Sequence, residues 1–522
     1  MTDRVTQVVI VGGGSAGWLS AGIIAASSPD FVQVTLIESP DITPIGVGEG
    51  TWPTMRASLQ TMGISEADFF RECDASFKQG SKFSRWTSLS KEDDYYHPFT
   101  VPAKYHEINL APFWLPFKDK IPFANAVCPQ AVICELGCAP KQMTTPEFSA
   151  VLNYGYHLDA GKFAAFLHKH CVEKLGVNYI SANVTAICSH ENGDIKSVAT
   201  DRMGDIAGDL FIDCTGMSSL LLGKHYEVPL VSQKQVLFND SALAVQIPYA
   251  EGANAIASHT LSTAQSAGWI WDIGLQSRRG IGHVFSSRYT TDDIAERELR
   301  NYITPAIGEK MAEELAVRKI AFNPGHRKTF WHKNCVAIGL SAGFIEPLEA
   351  TALVLIETSA KMIAEQFPVN RTVMDTLAKR FNNTLNHHWV QIINFLKLHY
   401  VLTKRTDTEY WRDNCLANSI PENLAELLAL WKMQSPWLQD EVLREEMFPS
   451  ASYQYIYYGM KATTVTAAAD ESNPQKIMQV KKRKKAESIF MENAQHVQQL
   501  KKLLQPNREL IEKIKQYGLQ AI

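Results

Sequence analysis

Gly12-Gly13-Gly14-Ser15-Ala16-Gly17 is the stretch whose residue types and spacing speak most directly of chemistry. It follows a short apolar run, Val8 to Val11, and leads into Trp18-Leu19-Ser20-Ala21-Gly22-Ile23-Ile24, which has helical character. Glycines at a strand-to-helix junction let the backbone turn and come close to a pyrophosphate, while the helix start aims its free N–H groups at the phosphates. Residues 32 to 37 alternate as a second strand, and Glu38 closes it about twenty residues past the last glycine, where an acid meets a ribose hydroxyl. Gly12, Gly14, Ser15, Ala16, Gly17 and Glu38 are therefore expected to hold a dinucleotide. Metal chemistry is not expected, because Cys134 and Cys138 have no second Cys/His pair close by.

The elements that must position this site are spread over a long chain. At 522 residues, with 45% apolar and 20% charged residues, it is globular in composition. The net charge of −4 gives no whole-chain attraction to nucleic acid or an anionic membrane, and Lys481-Lys482-Arg483-Lys484-Lys485 reads as a solvated helix face. No apolar run approaches the ~18 residues of a membrane span, and Val8 to Val11 ends in glycines rather than a leader's cleavage site. Nine scattered cysteines, an odd number, fit reduced thiols and a cytoplasmic location.

Residues 85 to 150 are rich in proline and aromatics and are expected to leave the sheet as a loop-rich excursion. Residues 158 to 175 read as helix and 177 to 187 as strand. Two later segments, 209 to 216 and 334 to 340, read as buried strands returning to the nucleotide sheet, each with a glycine turn, at Gly216 and Gly339. Such late returns favour FAD over NAD, since a flavin ring lies far from the adenine end and needs downstream segments to hold it. From about 366 the pattern is mainly helical. A small-residue stretch over 462 to 474 then leads to a charged helical tail. The expected fold is α/β, with a Rossmann-like FAD-binding core over residues 1–365 and a mainly helical module over 366–522 that covers the substrate.

The motifs together resemble the flavin-dependent tryptophan halogenases over essentially the whole chain. They are Gly-Gly-Gly-Ser-Ala-Gly-Trp at 12–18, Ile45-Gly46-Val47-Gly48-Glu49-Gly50, Phe77-Lys78, Trp269 and Trp271, Pro347-Leu348-Glu349, His399-Tyr400 and Asp407. The resemblance implies a glutathione reductase-type core in which Val47, Gly48 and Gly339 join the cofactor site. It also implies FAD used as FADH2 and supplied by a separate NAD(P)H-dependent flavin reductase, since the chain has no second G-x-G-x-x-G. Hypohalous acid made from chloride or bromide at the flavin would be received by Lys78, as hydrogen-bond donor or as an amine forming a haloamine. Glu349 would polarise the halogen donor or deprotonate the arenium ion. Thr351 and Ala352 match the halide-binding pair, Trp269 and Trp271 the wall between flavin and substrate, and His97 and Phe99 the contacts to an indole.

Two positions depart from the family pattern. Ala352 stands where glycine is usual, so a left-handed backbone there would be strained, and Gly274 replaces a proline, which is expected to loosen a turn. The residues gripping the amino and carboxyl groups of free tryptophan are not located in the tyrosine-rich stretch around Phe448 and Tyr453 to Tyr458. The substrate expected is accordingly an indole or other electron-rich aromatic, with tryptophan among the choices. A homodimer is one assembly open to the chain. The rival readings are an aromatic hydroxylase and a flavin-binding regulator whose halide site has decayed.

Overall fold

The computed structural model describes residues 4–42, 48–250, 252, 255–441, 446–465 and 475–521; most of the small-residue stretch before the tail lies outside them. Strand β1 (Gln7–Val11) runs through helix α1 (Ser15–Ser27) into the parallel strand β2 (Gln33–Glu38), Val8 opposite Val34 and Ile10 opposite Leu36. Val8 to Val11 are buried, which is why the run is uniformly apolar rather than alternating. In α1 every residue from Gly17 to Ile24 is buried, so the helix has no polar face.

Strands β3 (Gly48–Gly50), β4 (Ser76–Lys78), β5 (Gly80–Ser84), β6 (Asp94–Pro98), β7 (Gly155–Asp159) and β8 (Asn178–Ser181) follow. The nucleotide sheet has the order Trp331–His332, Cys335–Ala337, Leu210–Asp213, β1, β2, β8, parallel except for its first pair. Both late segments thus return to the sheet, Ile10 opposite Ile212 and Ile212 opposite Val336. Beside it stand a small sheet of order β3-β7-β4 and a seven-stranded sheet running Arg318–Ala321, Ser241–Pro248, Arg278–Phe285, Gly268–Gly274, Thr260–Ala264, β5, β6.

Two expectations are refined. The single strand expected over 177 to 187 is two: β8 pairs with β2, whereas Val184–Ser189 turns away to pair with Ile195–Thr200. The break is at Asn183, whose N–H and side chain are tied to Asp201 and whose Oδ1 accepts from Ser39. The stretch from 85 to 150 does leave the nucleotide sheet, but not as loop alone: β6 pairs with β5 at the edge of the seven-stranded sheet, Tyr95 opposite Phe83, and short helices make up much of the rest.

The C-terminal part is helical, led by Arg371–Val401, Ser450–Gly459, Gln475–Leu503 and Asn507–Tyr517. It does more than cover. The last helix lies behind β4, where Asn507 Nδ2 donates to the carbonyls of Phe77 and Ile256 at 3.5 and 3.3 Å. Among the described residues no helix is long and apolar enough to cross a membrane.

Candidate active site

At the carboxyl ends of β1 and β2 opens a cavity of about 560 Å³, the position where open α/β sheets take ligands. Gly12, at φ +114°, makes the turn that starts it, and a Cβ on Gly17 would lie 1.8 Å from the Gly12 carbonyl, so α1 packs there only without one. Gly14, Ser15 and Ala16 present the uncapped start of α1 to the cavity, with no acidic residue in the first turn to compete for its N–H groups. Glu38 lines the cavity against Gly13, and burial raises its carboxyl despite nearby His168 and hydrogen bonds from Trp18 and Tyr179. Gly48 and Gly339 line the walls, Gly17 stands behind them, and Val47 lies outside the described residues. A bare glycine cradle, a helix start and an acid at the end of β2 fit a dinucleotide. Leu385 and Trp389, from the helix Arg371–Val401, complete the cavity.

Lys78 belongs to the same lining. It ends β4, is 1% exposed, and its side chain reaches the same cavity. Burial pulls its ammonium down to about 8 against the opposing charges of Glu349 and Glu49. Its Nζ is 5.4 Å from the centre of the Phe99 ring. Lys78 and Glu349, distant in sequence, are thus brought within electrostatic reach of each other, yet among the described residues Lys78 makes no direct ion pair. That leaves the ammonium free to hold a ligand.

Glu349, 4% exposed, is set by three elements. His97 of β6 places Nδ1 2.9 Å from Oε1, and His399 of the helix Arg371–Val401 brings Nε2 to 3.2 Å from the same oxygen. Trp52 Nε1 donates to the Glu349 carbonyl at 2.8 Å, and Tyr95 Oη lies 2.8 Å from His399 Nδ1. Burial pushes the Glu349 carboxyl up, but His97 and His399 outweigh it and hold it at about 2, so it is a carboxylate at neutral pH. Burial lowers His399, which is therefore neutral there.

Thr351 opens the helix Thr351–Glu365, and Thr351 and Ala352 both line the cavity at its start, which has no side-chain cap and no acidic first turn. The strain expected at Ala352 is not there. Ala352 is helical, and the left-handed residue is Ala350 just before the helix, at φ +55°. Gly274 does not loosen a turn either: it ends the strand Gly268–Gly274 opposite Arg279, and its carbonyl accepts from Ser76 Oγ at 2.5 Å. The two tryptophans differ in place. Trp271 lines the cavity, while Trp269 is buried behind it with Nε1 donating to Glu346 Oε2 at 2.6 Å.

His97, on the side of Glu349, faces an aromatic group. Its ring centre is 5.5 Å from Phe395, 6.5 Å from Phe448 and 6.2 Å from Tyr455, and Phe395 stacks on Phe448 at 3.8 Å. The tyrosine-rich helix is mostly scaffold: the Tyr455 and Tyr457 hydroxyls donate to the carbonyls of Thr100 and Thr463. Sequence reasoning missed Trp52, Tyr95 and Phe395, and noted His399-Tyr400 without a role. The signal was that pair's adjacency: His399 reaches Glu349 while Tyr400 donates to Glu346 at 2.6 Å, so one helix turn pins both acids of Glu346-Pro347-Leu348-Glu349.

Residues 7–473 match the tryptophan halogenase family model. Tryptophan 7-halogenase RebH of Lentzea aerocolonigenes is 34% identical over 467 residues, which is 85% of this chain and 86% of that protein. Among solved structures, a tryptophan halogenase from Shewanella frigidimarina NCIMB 400 superposes with a TM-score of 0.94 at 48% identity, covering 99% of each chain. Tar14, a tryptophan C-6 flavin-dependent halogenase (chlorinase) from taromycin biosynthesis, gives 0.90 at 33% identity, covering 98% of this chain and 100% of its own.

Proposed function

The chain belongs to the tryptophan halogenase family and is a flavin-dependent halogenase, and we propose that Lys78 and Glu349 direct electrophilic chlorination or bromination of an indole or another electron-rich aromatic, tryptophan included. The observation that carries this reading is a buried ammonium lining the cofactor cavity, without a direct ion pair among the described residues and opposed by a carboxylate held ionised by two histidines. Aromatic hydroxylation is not favoured, since the relatives are halogenases and hydroxylation has no use for such a pair.

Gly12 to Ala16, Glu38 and Gly339 would hold FAD. Bound and reduced, FAD with oxygen and halide supplies hypohalous acid. Thr351 and Ala352 offer helix N–H groups to the halide anion, and Trp271 and Lys78 both line the cavity in which the oxidant forms. The Lys78 nitrogen receives it, aims it at a ring held beside His97 and Phe99, and Glu349 takes the proton the ring gives up. A separate NAD(P)H-dependent flavin reductase is the expected partner, and a homodimer is a further one. The nine cysteines, all unpaired thiols, suit a cytoplasmic protein.

The test is mass spectrometry of indole and of tryptophan incubated with the protein, FAD, a flavin reductase, NADH and either bromide or chloride. A product with the halogen's isotope doublet is expected. A hydroxylated product in its place would reverse the assignment of Lys78 and Glu349.

A further inference from the structure

Strand β6 reaches Glu349 by two routes. Tyr95 and His97, two residues apart, share one face of the strand. His97 meets Glu349 Oε1 directly. Tyr95 meets it through His399, whose Nδ1 lies 2.8 Å from the Tyr95 hydroxyl and whose Nε2 lies 3.2 Å from the same Oε1. Tyr95 has no task in the scheme just given.

Donor and acceptor along this chain follow from the charge at its end. Glu349 is a carboxylate and can only accept. A bare Nε2 facing it would set two lone pairs against each other, so the neutral imidazole carries its proton on Nε2. Nδ1 is then bare, and the Tyr95 hydroxyl is the donor to it. His399 is fully buried, with the ring centres of Phe83, Trp86 and Phe395 at 4.6, 5.8 and 5.6 Å, and among the described residues no other polar side chain bonds either nitrogen. The 3.2 Å contact at Nε2 lies off the line of a full hydrogen bond, so the bond at Nδ1 is what fixes the rotation of the ring. Tyr95 is itself fixed. Its ring stacks on Phe83 at 4.8 Å, and Gly459 closes over it so tightly that a Cβ there would lie 2.9 Å from Tyr95 Cβ.

Both imidazoles thus converge on Oε1, while Oε2 has no hydrogen-bonding partner among the described residues. Leu348 and Ala350 line the cofactor cavity but Glu349 between them does not, its side chain being drawn to the side where His97 faces Phe395, Phe448 and Tyr455. Resting on the reading of Glu349 as the group that takes the ring proton, we propose that Tyr95 is a positioning residue for that step: its hydroxyl holds His399 with Nε2–H turned to Oε1, which reserves Oε2 for the proton. As the halogenated ring regains its aromaticity, the carbon–hydrogen bond at the halogen-bearing carbon breaks, its electron pair returns to the ring, and the proton bonds to Oε2. The carboxylate becomes a carboxylic acid, and Tyr95, His399 and His97 keep their own protons. Without the phenol the imidazole is free to turn, and the carboxylate is no longer held to one angle against the ring carbon.

The experiment uses the full chain, with histidine isotopically labelled at its ring nitrogens and the His399 resonances identified by their loss in His399→Phe. NMR is expected to show the proton on Nε2 and a bare Nδ1, with the Nδ1 resonance displaced in Tyr95→Phe, which keeps the ring and removes only the hydroxyl. Bromination of indole is measured beside it. Tyr95→Phe should lower kcat about ten- to a hundredfold with KM for indole and FAD affinity unchanged, and should cause no further loss in a His399→Phe background. A proton on Nδ1, an unchanged kcat in Tyr95→Phe, or the same loss with and without the imidazole overturns the proposal. If Tyr95→Phe does not fold, the position of the proton in the unaltered protein decides alone. That position is read without turnover, so its failure leaves the halogenase reading intact, whereas undiminished halogenation by Glu349→Gln would count against the reading of Glu349.

Discussion

Glu349 owes its charge to its neighbours. A carboxylate taken out of water is costly unless donors meet it; His97 and His399 face it here, while Trp52 anchors the backbone carbonyl of the same residue. Glu349→Gln keeps the shape and removes the charge, so kcat should fall by about 10²–10⁴-fold with FAD affinity unchanged, as single-turnover rates and a flavin titration would show. Because the carboxyl is held at about 2, Glu349 adds no inflection to the pH–rate profile above pH 4; the inflection near 8 belongs to Lys78, whose ammonium is lost as pH rises through it. The motifs that carry Lys78 and Glu349 were legible in the sequence, and the structure brings the two within electrostatic reach. His399 was visible only as half of a pair without a role, because its partner is far along the chain and only packing brings them together. The strain was expected at Ala352 and lies at Ala350, since residue type shows that a left-handed position is near but not which residue adopts it.

The helix proposed to offer its start to halide also carries a buried acid. Glu357, in the helix Thr351–Glu365, accepts from Ser58 and Thr54, and burial pushes its carboxyl up to about 7. A carboxyl raised on folding binds more protons in the native than in the unfolded chain between its unfolded value of 4.5 and about 7. Stability contributed there is therefore complete at low pH and declines as pH rises through that window. Glu357→Gln should remove the decline and leave the protein more stable by roughly 3 kcal/mol above pH 8, with little difference at pH 4; denaturant titrations at the two pH values would check it. At the start of the same helix, Ala350→Gly should relieve left-handed strain of about 1 kcal/mol and raise Tm slightly. The βαβ unit was readable residue by residue because its strand, glycines, helix and acid lie within one local stretch. The break at Asn183 was not, because it depends on Asp201 and Ser39, which lie just past the ends of two other strands.

Across the whole molecule, the division at residue 365 marks a change in composition more than a boundary of function. The helix Arg371–Val401 supplies Leu385 and Trp389 to the cofactor cavity and His399 to Glu349, and the last helix braces β4 behind Lys78. A chain ended at residue 365 should therefore fail to bind FAD, where a self-sufficient nucleotide domain would bind it, and flavin fluorescence would decide. This interlocking was hidden in the sequence, since a helical pattern shows an apolar face without showing what it meets. The central claim is that Lys78 receives and aims the oxidant. Its most direct measurement is Lys78→Ala, assayed by mass spectrometry for halogenated indole beside a titration of FAD binding: FAD binding retained with halogenation abolished is the result expected, and halogenation undiminished at the unaltered rate would contradict the account.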